Sequence, residues 1–332
     1  MKADYPLVSI VIPVYNGANF LREAIESALE QTYSNIEILV INDGSNDNGE
    51  TELIAKSFGE KIRYFYKENG GVATALNLGI AQMRGEYFSW LSHDDLYAPE
   101  KIESQMELAA ELEDKREIIF SGFAIIDSQG RTLNQVSSTK RYSREQLETP
   151  LFALMHGMIS GCSLLIHKDN FDRVGLFRED LPTTQDFDLW FRMMRHIPCR
   201  LCDGTLHKTR VHDAQGSRVH KAAHSQESDA LWIGMMQTLT DEEKIQLNGS
   251  VSSFYKNIYF LMLKYTSNRE AMKYAKYQFI AVADNPIITK LLLELDTGIL
   301  LGREVIWISI EKRSWTNKLR AIKRGVKRLL ML

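Results

Sequence analysis

Three groups of acidic residues end or follow apolar segments of this chain, and their side chains could do chemistry. Asp43 closes the segment IEILVIN, Asp94 and Asp95 follow YFSWLSH, and Asp186 lies in TTQDFDLW. A carboxylate at the end of a buried strand is costly unless a cation or a hydrogen-bond donor pairs with it. In open α/β sheets, ligands bind at the carboxyl ends of the strands. The first two groups therefore predict a site for a metal-bound ligand that carries phosphate, and the third supplies a candidate base.

Each acidic group also has a structural interpretation. Asp43 could be a turn or helix N-cap residue, or it could accept hydrogen bonds from a nucleoside. The adjacent carboxylates repel each other unless a cation lies between them, and Mg²⁺ and Mn²⁺ prefer such oxygen ligands, but the pair could also lie in a solvated loop. Asp186 could complement a helix dipole, or act as a general base beside the aromatic Phe187 and Trp190. His212 could be a further metal ligand or an ordinary surface histidine.

The segments that position these acids alternate between strand and helix patterns. The patterns predict strands at residues 8–14, 36–41, 62–66 and 87–91, and helices at residues 19–31, 47–58, 71–83 and 99–112. Short β-branched runs separated by amphipathic helices are typical of parallel strands joined by right-handed crossovers. The chain is therefore predicted to have an α/β fold with a mostly parallel central sheet flanked by helices.

The alternation loosens after residue 117. The patterns predict a strand at 118–126, a turn at 128–130 between two strands, helices at 143–155 and 186–196, and a short strand at 163–167. From residue 227 onward the pattern is nearly all helical. We expect one domain at residues 1–220, with halves at about 1–117 and 118–220, and a helical C-terminal region at 221–332.

Composition and charge exclude some classes of protein. The chain has 332 residues, 44% of them hydrophobic, and a net charge of −3, which argues against a general nucleic-acid binder. Its three cysteines are few and odd in number, which favours a reducing compartment. Cys199 and Cys202 form a C-x-x-C without a second pair, so ordinary thiols are favoured over a zinc or redox site. No signal peptide and no apolar run of about 18 residues is apparent, so a cytoplasmic location is expected.

Nucleotide-binding fingerprints of other folds are absent from the sequence. No G-x-G-x-x-G follows the first strand, and there is no P-loop motif and no G-x-S-x-G elbow. These absences argue against a Rossmann dinucleotide site, a P-loop NTPase and an α/β-hydrolase.

Four blocks of sequence, in this order, resemble family 2 glycosyltransferases of the GT-A fold. The blocks are VSIVIPVYNGANFLREAIESALEQTYSNIEILVINDGSNDN, ENGGVATALNLGIAQMRGEYFSWLSHDD, GLFREDLPTTQDFDLWFRMM and TRVHDAQGS. The resemblance covers about residues 6–217. It implies a nucleotide-binding α/β half joined to an acceptor-binding half.

The resemblance also implies roles for individual residues. The residues that would bind a nucleotide-sugar donor are Pro13, Tyr15, Asp43, Asn77 and Asp94. Asp95 and His212 would bind a divalent Mn²⁺ or Mg²⁺, and Asp186 would be the catalytic base. Support on the acceptor side would come from Gln185, Trp190 and Arg210. The chain departs from the family pattern at three positions. Ser92 stands where an aspartate is frequent, Gln185 where glutamate is common, and Leu76 where many members have arginine.

The implied activity is inverting transfer of a sugar from a nucleotide-diphosphate sugar, with UDP favoured, to a hydroxyl of a glycan or lipid-linked acceptor. The implied process is the biosynthesis of a bacterial cell-surface polysaccharide. Two alternatives stay open at this point. One is a catalytically silent sugar-nucleotide-binding or scaffold protein, and the other is a sugar nucleotidyltransferase, which the segment PVYNGAN disfavours because it lacks a glycine-rich loop with a basic residue.

The C-terminal segment predicts a partner. Apolar residues recur there at helical spacing among basic ones, namely Leu319, Ile322, Val326, Leu329 and Leu330. A basic amphipathic helix within 312–332 could lie on an anionic membrane surface, which would place the protein at the inner face of the cell membrane. A solvated tail, or a helix packed on the protein's own acidic surface, is the alternative. A homo-oligomer is also open.

Overall fold

Short apolar segments of the first ninety residues form the predicted parallel sheet. In the computed structural model, which describes residues 6–213, 215, 221–263 and 268–283, β1 (Val8–Val14) is buried along its whole length. It pairs in parallel with β2 (Ile36–Asp43) and with β4 (Tyr87–Trp90), and β3 (Arg63–Lys67) extends the sheet beyond β2. The last strand, β8 (Ile166–His167), runs antiparallel to β4, so the strand order is β3-β2-β1-β4-β8.

Three helices pack on the strands of this sheet, and a fourth packs on two strands of the second sheet described below. They are α1 (Leu21–Leu29), α2 (Glu50–Lys56), α3 (Val72–Gln82) and α4 (Lys101–Ala110). In α1 the buried apolar residues recur at helical spacing, so one face of the helix packs on the core while its acidic residues face water. The predicted α/β fold is confirmed, and these helices are shorter than predicted by one to three residues at their ends.

A second sheet was only partly anticipated. It contains β5 (Leu96–Tyr97), β9 (Cys199–Arg210), β6 (Ile118–Ile126) and β7 (Thr132–Val136), in that order. The sequence patterns gave no strand at β9, because its residues CRLCDGTLHKTR do not alternate regularly. The structure shows the reason: the pairing of β9 with β6 shifts register near Gly204, whose φ of +106° suits glycine, and two consecutive residues, Asp203 and Gly204, are exposed at this irregularity.

The predicted helix at 143–155 is two helices. α5 (Arg144–Glu148) begins with a capping box between Ser143 and Gln146, and α6 (Phe152–Met155) follows after Pro150. Proline restrains the preceding residue to an extended conformation and lacks a backbone N–H, so it ends α5. The predicted strand at 163–167 is also shorter, because residues 161–163 form a 3₁₀ turn.

The remaining helices are α7 (Asp169–Val174), α8 (Gln185–Met194), α9 (Lys221–Thr238), α10 (Asp241–Asn248), α11 (Val251–Met262) and α12 (Arg269–Ala281). The described residues after 227 are thus helical, as predicted. The division at residue 220 stays a prediction. The basic segment 312–332 lies outside the described residues. In the part of the chain that the structure describes, no helix combines the length and the apolar character needed to span a bilayer.

Candidate active site

A cavity of about 670 Å³ opens where β1, β2 and β4 end. Its wall contains most of the residues predicted from the sequence: Pro13, Tyr15, Asp43, Asp94, Asp95, Gln185, Asp186 and His212. The parallel strands bring the first five to one edge of the sheet, as expected for this class of fold. The start of α8 and the segment after β9 contribute the other three.

Asp43 organises the loop at one side of the cavity. Its side chain is buried, and its two oxygens accept hydrogen bonds from Lys67 Nζ at 2.6 Å, from the backbone N–H groups of Gly70 and Gly71 at 3.0 and 2.8 Å, and from Asn69 Nδ2 at 3.3 Å. These donors use the acceptor capacity of an ionised carboxylate. The bond from Asn69 is the longest of them, so it is the one that a ligand would replace at least cost.

Asp94 and Asp95 are held by the end of β9. His212 Nε2 lies 2.9 Å from Asp94 Oδ2, and the backbone N–H of Arg210 donates to Asp95 Oδ1 at 2.8 Å. The second oxygen of Asp95 lies 3.4 Å from His207 Nε2. Burial raises the pKa of Asp95, while the hydrogen bond with His207 and the Arg210 N–H lower it. The pair is therefore fixed in position at the cavity wall.

The donor set at this wall fits a hard divalent cation. Asp94 and Asp95 are 9% and 4% exposed, and within the described residues their ion-pair partners are the imidazoles of His212 and His207. Two neighbouring buried carboxylates without a lysine or arginine partner leave negative charge that a cation would offset. Mn²⁺ and Mg²⁺ accept carboxylate and imidazole ligands.

Arg210 supports the two aspartates without lining the cavity. Its side chain is 1% exposed, and its guanidinium donates to the backbone oxygen of Asp94 at 2.8 Å and to Glu23 at 2.8 Å. The guanidinium also lies over the ring of Phe20, 4.4 Å from its centroid. Arg210 therefore ties the turn after β4 to β9 and α1.

Asn77 and Trp190 are placed differently from the prediction. The amide of Asn77 donates to the backbone oxygen of Phe177 at 2.9 Å and accepts from the backbone N–H of Phe177 at 3.0 Å, outside the cavity wall. Trp190 is 1% exposed and packs edge-on against Phe177, so its ring presents no surface to a sugar. Both residues therefore lie outside the cavity wall, and their roles in binding the donor and supporting the acceptor side stay predictions. Trp90 is the tryptophan that lines the cavity.

Asp186 lies in the first turn of α8, facing the cavity. Burial raises the pKa of its carboxyl to about 6, and the nearby charge of Glu227 acts in the same direction, while the backbone N–H of Phe187, which donates to Oδ1 at 2.8 Å, opposes it. A carboxyl that titrates near neutral pH suits proton transfer. The neighbouring Gln185 is buried, and its Oε1 has no hydrogen-bond partner within the described part of the chain.

Glu227 is a site residue that sequence reasoning missed. It lies on α9, and its Oε1 accepts from the backbone N–H groups of Thr183 and Thr184 at 3.0 and 2.6 Å and from Thr184 Oγ1 at 2.6 Å. Thr184 is the N-cap residue of α8, and its side chain does not accept a hydrogen bond from the first turn of the helix. A charged acceptor from another helix therefore fixes the segment before Asp186. No local signal links residues so far apart in the chain.

Comparisons with known proteins show which family the chain resembles. The sequence profile of the family described as Glycosyl transferase family 2 matches residues 9–174. An uncharacterized glycosyltransferase of Rickettsia typhi is 51% identical over 253 residues, which are 76% of this chain and 79% of that protein. Another from Rickettsia conorii is 52% identical over 246 residues, 74% of this chain but only 41% of that protein. The chain thus spans less than half of the length of some relatives.

A solved structure shares the fold. The crystal structure of Staphylococcus aureus TarS in complex with UDP-GlcNAc superposes with a TM-score of 0.54 at 14% identity, over 82% of this chain and 90% of that chain. At this identity the likeness concerns the fold alone. The profile match and the relatives identify the family: the chain belongs to glycosyl transferase family 2.

Proposed function

We propose that this glycosyltransferase moves a sugar from a UDP-sugar to an acceptor hydroxyl with inversion at the anomeric carbon. One observation carries the proposal: the cavity places a single carboxyl with a pKa of about 6, Asp186, in the same space as the Asp94–Asp95 pair. The Asp94–Asp95 pair could bind a diphosphate through its cation, and the carboxyl of Asp186 could accept the proton of an acceptor hydroxyl.

The donor lies along the edge of the central sheet in this proposal. Tyr15 is 44% exposed at the cavity wall and offers an aromatic face to the base, beside Pro13. Asp43 accepts a hydrogen bond from the nucleoside in place of its bond from Asn69. Asp94 faces the ribose or the diphosphate. The TarS complex holds UDP-GlcNAc on a fold of this kind, which supports a UDP donor.

A divalent metal ion completes the donor site. Asp95 and His212 would hold Mn²⁺ or Mg²⁺, and the ion would neutralise the charge that develops on the leaving diphosphate. The backbone N–H of Arg210 keeps the Asp95 carboxylate oriented toward this place.

Transfer takes one displacement. The acceptor oxygen attacks the anomeric carbon, its proton passes to Asp186, and the bond between that carbon and the diphosphate oxygen breaks to release UDP. Glu227 holds the start of α8, so that Asp186 stays where the hydroxyl arrives. Of the other acids at the cavity wall, Asp43 is engaged by loop donors and Asp94 and Asp95 by the end of β9, which leaves Asp186 for the proton.

The acceptor in this proposal is a glycan or a lipid-linked saccharide of a surface polysaccharide. The support comes from the sequence, whose segment 312–332 has the basic and apolar pattern of a helix that contacts anionic membrane from the cytoplasmic side.

Thermal unfolding with a panel of nucleoside diphosphates, with and without Mn²⁺, tests the donor site. We expect UDP with Mn²⁺ at about 100 times its Kd to stabilise the native state by about 2.7 kcal/mol. The shift should be lost in Asp95→Ala and kept in the control variant Asp203→Ala. Asp203 is 79% exposed and pairs with Arg144, away from the cavity wall. Equal shifts in both variants, or a shift that ignores the metal, would contradict the proposed site. A product that retains the donor's anomeric configuration would contradict the single displacement.

A further inference from the structure

Three metal-ligating side chains of different types meet at the floor of the cavity. Asp95 follows β4, Cys162 lies in the 3₁₀ turn at residues 161–163, and His207 lies in β9. One ligand atom of each lies within 4.8 Å of the other two, and all three residues are buried. Asp95 and Cys162 also line the cavity, so a cation from solvent can reach the group.

The chemistry of this trio differs from that of the Asp95 and His212 pair. Mg²⁺ and Mn²⁺ prefer oxygen ligands, whereas a thiolate with an imidazole selects borderline cations such as Zn²⁺ and Co²⁺. Bonds of about 2.3 Å to sulfur and about 2.0–2.1 Å to nitrogen or oxygen in a tetrahedron place the ligand atoms about 3.3–3.6 Å apart. The distance between Asp95 Oδ2 and His207 Nε2 is already 3.4 Å. Since all three ligand atoms lie within 4.8 Å of one another, small shifts of the side chains would bring them to these distances.

The side chains around the trio leave it available to a cation. Cys162 Sγ lies 3.4 Å from the backbone nitrogen and from the hydroxyl of Ser92, an ordinary distance for hydrogen bonds to sulfur, and a metal-bound thiolate could still accept both. His207 Nδ1 is buried and has no hydrogen-bond partner within the described residues. Its Nε2 lies 2.7 Å from the hydroxyl of Thr209, which a metal ion would replace.

We propose that Asp95, Cys162 and His207 form a binding site for a Zn²⁺-class cation, with a fourth position open to the cavity. Binding forms a metal–sulfur bond and releases the thiol proton to solvent. The site shares Asp95 with the donor metal. Where the proposed function holds, a Zn²⁺-class ion therefore takes Asp95 away from Mn²⁺ or Mg²⁺ and inhibits donor binding.

Titration of the metal-free full-length protein with Co²⁺ tests the site without any assay of activity. We expect one equivalent of Co²⁺ to produce the near-ultraviolet charge-transfer absorption of a cobalt–thiolate bond, and one equivalent of Zn²⁺ to remove it. The absorption should be lost in Cys162→Ser and kept in Cys202→Ser, the matched change of another buried cysteine. No absorption in the wild type would overturn the proposal. Loss in Cys202→Ser with retention in Cys162→Ser would also overturn it, because it assigns the metal to the C-x-x-C pair.

Two further measurements keep the proposal decidable. Zn X-ray absorption of the wild-type protein needs no substitution: a sulfur shell at about 2.3 Å supports the site, and a shell of nitrogen and oxygen alone refutes it. The second is the UDP-dependent thermal shift with Mn²⁺, which stoichiometric Zn²⁺ should reduce by at least half. If the cobalt absorption is present but Zn²⁺ leaves that shift unchanged, the trio binds metal and the role of Asp95 in the donor site fails.

Discussion

Replacing Asp186 by asparagine should remove transfer and stabilise the protein at the same time. The amide is nearly the same shape as the carboxyl, and its oxygen can still accept from the backbone N–H of Phe187. It cannot take a proton from an acceptor hydroxyl. Because general-base catalysis contributes about 10²- to 10⁴-fold, we expect the turnover number to fall by that factor while the affinity for UDP changes less than threefold.

The stability effect follows from the raised pKa. The carboxyl of Asp186 titrates at about 6 in the folded protein, against an ordinary value of 3.8. The folded state therefore binds this proton more tightly than the unfolded state, and the stability that this contributes is lost as the pH rises from about 3.8 to about 6, with little further change above that. The difference corresponds to about 3 kcal/mol at pH 8 and falls to about 0.5 kcal/mol at pH 4. Asparagine avoids this cost, so its stabilising effect should grow with pH across this window.

Chemical denaturation at pH 4, 6 and 8, together with donor turnover at pH 7.5, measures both effects. Asp188→Asn is the matched control on the same helix, because Asp188 lies outside the cavity wall and pairs with Arg192 at 2.8 Å. That variant should keep its transfer activity and lose stability.

Two results would refute the reasoning. Turnover of Asp186→Asn within tenfold of the wild type would show that Asp186 is not the base. A variant that is inactive but equally stable at every pH would show that the pKa of Asp186 is not raised in the folded protein. In the wild type, kcat/KM should accordingly rise with pH through about 6 and then level off.

Two other substitutions test the supports of the site. Glu227→Gln keeps a hydrogen-bond acceptor for Thr184 but removes the negative charge beside Asp186. The acid limb of the kcat/KM profile should therefore move below about pH 6. A limb that does not move would mean that the two carboxyls do not interact. Arg210→Met leaves the backbone oxygen of Asp94 without its donor and should lower the free energy of unfolding by about 2 kcal/mol and weaken UDP binding, as denaturation and titration calorimetry can measure.

The sequence predicted those parts of the fold that rest on local periodicity. The first four strands and helices follow from hydrophobic patterns within each segment, and Asp43, Asp94 and Asp95 follow from their places at strand ends. These residues meet because parallel strands end at one edge, which is a rule of the fold and needs no knowledge of the loops.

The parts that were missed depend on contacts between distant segments. β9 is stabilised by pairing with β6, and its own residues do not show a strand pattern. Asn77 bonds through its amide to the backbone of Phe177, one hundred residues away, a contact that the sequence does not indicate. Glu227 reaches the start of α8 from another helix. In each case the structure of the segment depends on hydrogen bonds to residues far away in the chain, and the spacing of residues within the segment does not predict such bonds.

The separation of β9 from β4 along the chain has a consequence for biosynthesis. The turn that carries Asp94 and Asp95 is synthesised before the strand that holds it, and this strand, with His207 and Arg210, leaves the ribosome more than one hundred residues later. Domains fold from the N-terminus during synthesis, and pairing over such a distance is slow. A nucleotide at the proposed donor site therefore cannot assist the folding of the central sheet, since the cavity wall is complete only once the residues that follow β9 have emerged.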